Sequence, residues 1–366
     1  MKSPSSRSRF VSVVAVAAGV ALAGLSGAAC LPTSHASYAT TFGTPHRSRD
    51  MLKVIDEPGP VVFTTYVSAD WSVDLSGLLN LYDPKAQAAR LSDKEEPIQI
   101  YFYVLRHPKY GMYIVDTGVQ RAFRDEPEKS AVQGIVAYGM HLERLKVRTA
   151  LGDFLKMTHE PLRGVFLTHM HIDHISGMPD VPAGTPVFVG PGETHDRMFL
   201  NALLAGTTDR ELQGKAPIEE WTFMPDDDRR FDGVLDVFGD GSVWALHVPG
   251  HTKGSTAYVV RTPDGPVLLT GDTCHTAWGW NNEVEPGGFT ADHDANKASL
   301  LALRALAKEH PNMVVHLGHQ PLTSTPTATS TSTSTPTSTA TPTPTSTATP
   351  TPTATATPTP TSTPTK

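Results

Sequence analysis

From Thr168 to His174 the chain reads ThrHisMetHisIleAspHis, which puts the imidazoles of His169, His171 and His174 and the carboxylate of Asp173 into one short turn. A lone loop histidine is ordinarily a solvated side chain. Four ligating groups this dense are hard to account for without a cation to share. Imidazole together with carboxylate suits zinc and similar borderline divalent ions, whose bonds to nitrogen are about 2 Å long. Three further candidates follow downstream, each after a short apolar run: His251 in ValProGlyHisThr, Asp272 in LeuThrGlyAspThr and His319 in LeuGlyHis. The run before the first cluster, GVFLT at 164–168, is apolar and β-branched enough to be a buried strand. Every candidate therefore stands where a strand stops and projects from rigid backbone. His316 competes with His319 for the last ligand position, but its place within the strand-like MVVHLGH run favours a packed strand residue. Cys274, close to Asp272, reads as a small buried side chain and not a ligand.

Taken in order, HxHxDH, the PGHT-type histidine, the GD aspartate and the terminal GH resemble the motifs of the metallo-β-lactamase superfamily, over roughly residues 51–320. The resemblance implies an α/β fold, the four-layer αββα sandwich. It implies one metal held by His169, His171 and His251 and a second held by Asp173, His174 and His319, with Asp272 bridging. Two divalent ions, zinc by donor type, can share a hydroxide and polarise a carbonyl, so hydrolysis needs no serine or cysteine nucleophile. Asp173 is the candidate to orient that nucleophile as well as to bind metal.

Within the superfamily, the β-lactamases generally lack the second His of the DH pair and the bridging Asp, so His174 and Asp272 argue against that activity. Nucleic-acid processing members share the ligand set, but a formal net charge of −7 without a basic run in the domain argues against nucleic acid. Glyoxalase II-like thioesterases act on a cytosolic substrate, which fits poorly with the export signal described below. The layout after Asp272 is similar to the N-acyl homoserine lactonase branch: Trp278-Gly279-Trp280, Glu283 and Phe289, then a Leu/Ala-rich helix and a strand ending in GH. Those lactonases carry a Tyr just after the bridging Asp that donates to the substrate carbonyl. His275 occupies the corresponding place, and an imidazole can also donate. Trp278 and Trp280 are candidates to line a mouth for an acyl chain or to anchor packing. The expected function is an exported dinuclear hydrolase of a lactone or other small ester. The alternatives are a mononuclear iron sulfur dioxygenase of the same fold and a non-catalytic envelope protein that binds a small molecule.

The elements that must position these groups are legible as runs. Strands are expected at about 61–67, 98–105, 112–116, 186–190, 221–224, 234–238, 243–248, 256–261, 267–269 and 313–315. Helices are expected at about 138–157, from Leu142, Leu145, Leu151, Phe154 and Leu155, at 193–204, and from an Asp292 or Asp294 cap to Glu309. Lys2, Arg7 and Arg9 precede an apolar run and small residues before Cys30, so 1–30 reads as a secretory signal, with Cys30 in a lipobox-like setting that offers membrane anchoring by lipidation. Residues 31–50 read as a linker, and 51–320 as the catalytic domain. The segment 321–366, almost wholly Thr, Pro, Ser and Ala, reads as a disordered tail.

Overall fold

The computed structural model describes residues 35–195 and 199–322, without the side chains of residues 199–203. The expected signal segment, Cys30 and the tail beyond Leu322 lie outside the described residues.

Strands β1 (Ser37–Ala39), β3 (Val62–Asp74), β4 (Glu95–His107), β5 (Gly111–Val115), β6 (Lys146–Val147), β7 (Leu162–Phe166), β8 (Val187–Val189) and β9 (Ile218–Glu220) form one sheet, in the order β1-β9-β8-β7-β5-β4-β3-β6. The second contains β2 (Thr44–His46), β10 (Gly233–Asp236), β11 (Val243–His247), β12 (Thr256–Thr262), β13 (Gly265–Leu269) and β14 (Val314–His316), in the order β14-β13-β12-β11-β10-β2. Alternation along each strand explains why these sheets stack. In β4, Tyr103 and Leu105 face inward with Phe166, Tyr258 and Leu269, while Phe102 and Val104 face outward with Leu151 and Phe154. The outer face of the second sheet (Leu246, Val259, Leu268) is covered by Leu300, Leu303 and Leu306 of the helix His293–Glu309. Each such apolar side chain taken from water contributes about 1.5–3 kcal/mol. The result is helix, sheet, sheet, helix, the αββα sandwich expected from the sequence.

Strand direction gathers the site. Both β11 and β13 run antiparallel to β12, so they point the same way, and β14 runs parallel to β13. The loops after these three strands thus open at one end of the sheet, the end to which the turn after β7 also comes.

Several boundaries differ from the sequence expectation. Within the expected linker, the described residues from 35 on include two strands: β1 extends the first sheet by pairing with β9, and β2 closes the edge of the second by pairing with β10. The helix expected over 138–157 is two short helices, Gly134–Gly139 and Leu151–Thr158, separated by a 3-10 turn and β6. His141 takes a left-handed φ of 52°, and Lys146 and Val147 pair with β3 at Asp70 and Ala69, which interrupts the Leu periodicity. The strand expected at 221–224 lies at β9 instead, and Trp221 follows it as a core residue. Over the helix expected at 193–204, the described residues form a 3-10 turn at Glu193–His195 and the helix Phe199–Glu211. The helix after Asp292 is as expected, with the Asp292 carboxylate accepting from Ala295 N at 3.0 Å.

Candidate metal centre

Four segments meet at the open strand ends. His169 follows β7, and His171 caps a four-residue helix that carries Asp173 and His174. His251, Asp272 and His319 follow β11, β13 and β14. Two glycines make the approach possible. At Gly250, with φ of 135°, a Cβ would lie 2.1 Å from Asn296 N, and at Gly318 it would lie 2.0 Å from Asp272 Oδ1.

The side chains fall into two groups that could each hold a cation: His169, His171, His251 and Asp272, and Asp173, His174, Asp272 and His319. All the metal-ligand positions expected from the sequence are therefore brought together. Asp272 Oδ2 is common ground, 3.7 Å from His169 Nε2, 3.6 Å from His251 Nε2, 3.3 Å from His174 Nε2 and 3.2 Å from His319 Nε2. Asp173 Oδ2 lies 3.1 Å from His319 Nε2.

These residues fit a metal pair on their own chemistry. His169 Nε2, His174 Nε2 and Asp272 Oδ1 are buried with no hydrogen-bond partner among the described residues. Such atoms are costly to bury unless something else satisfies them. His171 Nδ1 and His251 Nε2 lie 2.9 Å apart, and two imidazole lone pairs at that separation repel unless a proton or cation is shared. Burial, reinforced by neighbouring imidazoles, holds His169 and His251 well below the usual histidine range, and burial also lowers His171. The second group differs. Burial opposes charge on His174 and His319, but Asp272 and the other carboxylates outweigh it, raising His174 well above its ordinary value and His319 to about 10. The same histidines hold Asp173 and Asp272 ionised against their burial.

Supporting contacts that sequence reading missed orient these ligands. Asp116, at the end of β5, accepts from His174 Nδ1 at 2.8 Å and from Thr168 N at 2.8 Å. The carbonyl of Gln99 on β4 accepts from His319 Nδ1 at 3.0 Å. Buried Glu193 accepts from Met170 N at 2.7 Å with one oxygen, and with the other from Thr252 Oγ1 at 2.7 Å and Gly254 N at 2.9 Å. It thereby ties the turn holding His169 and His171 to the loop holding His251. Of these, only Asp116 left a trace in the sequence, as the Asp of a strand-ending ValAspThrGly turn.

Other expectations resolve as follows. His316 packs between the rings of Phe63 and Tyr103, each at 5.4 Å, outside both groups. Cys274 is buried in the core, its thiol pushed up to about 12 by burial, as a packing residue should be. Trp280 is a core residue beneath Arg304, and Trp278 packs with the Leu75, Leu78 and Leu79 cluster, so both anchor the loop. Glu283 pairs with Lys85 and Arg304 and is no part of the site. His275 is buried at the centre, its Nε2 3.0 Å from Asp272 Oδ2 and its Nδ1 3.1 Å from the carbonyl of Leu78.

The comparisons with known proteins agree with this geometry. The family model described as "Metallo-beta-lactamase superfamily" matches residues 96–319. The N-acyl homoserine lactonase AttM of Azorhizobium caulinodans is 27% identical over 231 residues, 63% of this chain and 84% of that protein. The lactonase AttM of Rhizobium johnstonii is 28% identical with the same coverage, 63% and 84%. A solved quorum-quenching N-acyl homoserine lactone lactonase superposes with a TM-score of 0.50 at 20% identity, covering 72% of this chain and 93% of that one. With its motifs, its sandwich and both ligand groups in register with that match, the chain belongs to the metallo-beta-lactamase superfamily, as a metal-dependent hydrolase.

Proposed function

We propose that the protein opens a lactone by hydrolysis at a dinuclear centre, with zinc as the cation. The observation that carries this reading is the single oxygen, Asp272 Oδ2, standing between two complete ligand groups. The similarity to N-acyl homoserine lactonases across 84% of a relative's length supports the lactone as the ester.

His169, His171 and His251 would hold one ion and Asp173, His174 and His319 the other, with Asp272 shared. When bound, the pair would lower the pKa of a water toward neutrality and polarise the ester carbonyl. The chain's own residues set up the rest. Asp116 and Gln99 fix the tautomers of His174 and His319, so that each presents an unprotonated Nε2 once neutral. Asp173 is the more exposed of the two carboxylates, 15% against 3% for Asp272, and is the group able to take a proton on the open side. The acyl–oxygen bond of the ring breaks, water adds to the acyl carbon, and the ring oxygen leaves with a proton as the hydroxy acid's alcohol. The amino-terminal order of charge, apolar run and small residues before Cys30 supports an exported enzyme.

The test is a panel given to the zinc-loaded protein: N-acyl homoserine lactones of several chain lengths, simple γ-lactones, an aryl ester and a phosphodiester, followed by product mass. Ring-opened hydroxy acids formed fastest from lactones are expected. Faster turnover of the phosphodiester would overturn the reading.

A further inference from the structure

Seven side chains make up the two ligand groups, and His275 is left at their centre without a role. Resting on the dinuclear reading above, we propose that His275 is an additional metal ligand, presenting Nε2 beside the shared oxygen of Asp272.

The argument begins with the proton. A backbone carbonyl only accepts, so the 3.1 Å contact between His275 Nδ1 and Leu78 O puts the ring hydrogen on Nδ1. That leaves Nε2 as the nitrogen turned toward Asp272 and the two ligand groups. Nε2 stands 3.0 Å from Asp272 Oδ2, the oxygen of the carboxylate that both ligand groups share. A ring nitrogen and a carboxylate oxygen rest at that separation with a proton or a cation between them, and the surroundings of His275 favour the cation.

The same pattern marks the groups already assigned to metal. His319 and His174 place Nε2 at 3.2 and 3.3 Å from the same oxygen. Both also give their Nδ1–H to a fixed acceptor, Gln99 O and Asp116 Oδ2. Metal-ligating histidines characteristically anchor the far nitrogen in this way. His275 repeats both halves. Its ring is 1% exposed and lies between the two groups, with centroids 5.1 Å from His251 and 5.3 Å from His319. Its anchor is firm as well. Leu78 ends a short helix whose preceding residue, Gly77, accepts at its carbonyl from Gly287 N and Phe289 N, and Asn80 N donates to Glu285 O. An extra imidazole beside Asp272 would bias the centre toward zinc, cobalt or nickel and away from oxygen-preferring magnesium or calcium.

The test uses the full chain, stripped of metal and titrated with Co2+ and then Zn2+, in wild type, His275→Ala and His275→Gln, with melting curves to check folding. Wild type should take up two ions. In the variants one of the two should bind at least about tenfold more weakly, the cobalt d–d absorption should change shape, and added imidazole should restore the wild-type band in His275→Ala. If His275→Ala does not fold, His275→Gln carries the same expectations. Two ions bound by the variants with wild-type affinities and spectra would overturn the inference, even if turnover fell, because His275 would then face substrate. Failure of wild type to bind two ions would instead overturn the dinuclear reading beneath it.

Discussion

The two ligand groups that meet at Asp272 are built from different chemistry. His169, His171 and His251 offer lone pairs without charge: burial lowers all three, and the loops that hold them are clasped from behind by Glu193. Asp173, His174 and His319 offer charge, with carboxylates kept ionised and histidines raised by them, and their far nitrogens are held by Asp116 and Gln99. A cation gains imidazole donors on one side and charge neutralisation on the other. The difference teaches that the two halves can be damaged unequally: Glu193 stands behind one and Asp116 and Gln99 behind the other, while the shared Asp272 oxygen and Thr168, whose Oγ1 reaches His169 Nδ1 at 3.1 Å and His174 Nδ1 at 3.3 Å, link them.

Removing that oxygen should have the largest effect. Asp272→Ala is expected to lose both ions and at least roughly 10³-fold in turnover, since a metal's charge stabilisation is worth several kcal/mol. Metal content and rate measured together check it, and full metal content would break the shared-oxygen account. Next, His251→Ala and Asp173→Ala should each leave one ion per chain, from opposite halves. Competition with a chelator should then show one retained site in each variant, of different affinity in the two. Loss of both ions from either variant would mean that the halves are not separable.

Smaller changes sharpen the comparison. Glu193→Gln leaves an acceptor on only one side of the clasp and should weaken the histidine-only half by about 10–100-fold, while Asp116→Asn should do the same to the carboxylate half. Zinc titrations resolve which half moves, and parallel effects on both would contradict the assignment. The smallest expected effect lies outside the centre. Glu211 is fully buried, with Gln120 Nε2 donating to its carboxylate, and burial raises it well above the usual carboxyl range. The unfolded chain therefore ionises first as pH rises, and the fold loses stability above the ordinary carboxyl range. Glu211→Gln should raise the melting temperature at pH 8, by an amount worth about 1 kcal/mol or more, and leave it nearly unchanged at pH 4.

The carboxylate and histidine ligands were legible because they follow apolar runs, and strands β7, β11, β13 and β14 end within two residues of where those runs end. The helix His293–Glu309 was legible from its Asp292 cap and its Leu period. What stood behind the ligands was not. Asp116 meets His174 across 58 residues, Glu193 meets Thr252 across 59, and the Gln99 carbonyl meets His319 across 220, separations that no local period encodes. β1 and β2 escaped for a related reason: three residues at a sheet edge are strands only because β9 and β10 pair with them. At residues 138–157 the Leu spacing pointed to a helix, and tertiary pairing of β6 with β3 overrode it. His275 was visible as a residue, but only the position of the Leu78 carbonyl reveals which nitrogen faces the metal groups.

The most direct test of the dinuclear lactonase account is the metal content of the purified full chain, measured in the same preparation as lactone opening before chelation, after it and after zinc is returned. Two zinc-type ions per chain, with hydrolysis lost on chelation and regained with zinc, are the predicted result. A single iron per chain in a preparation that leaves lactones intact would contradict it.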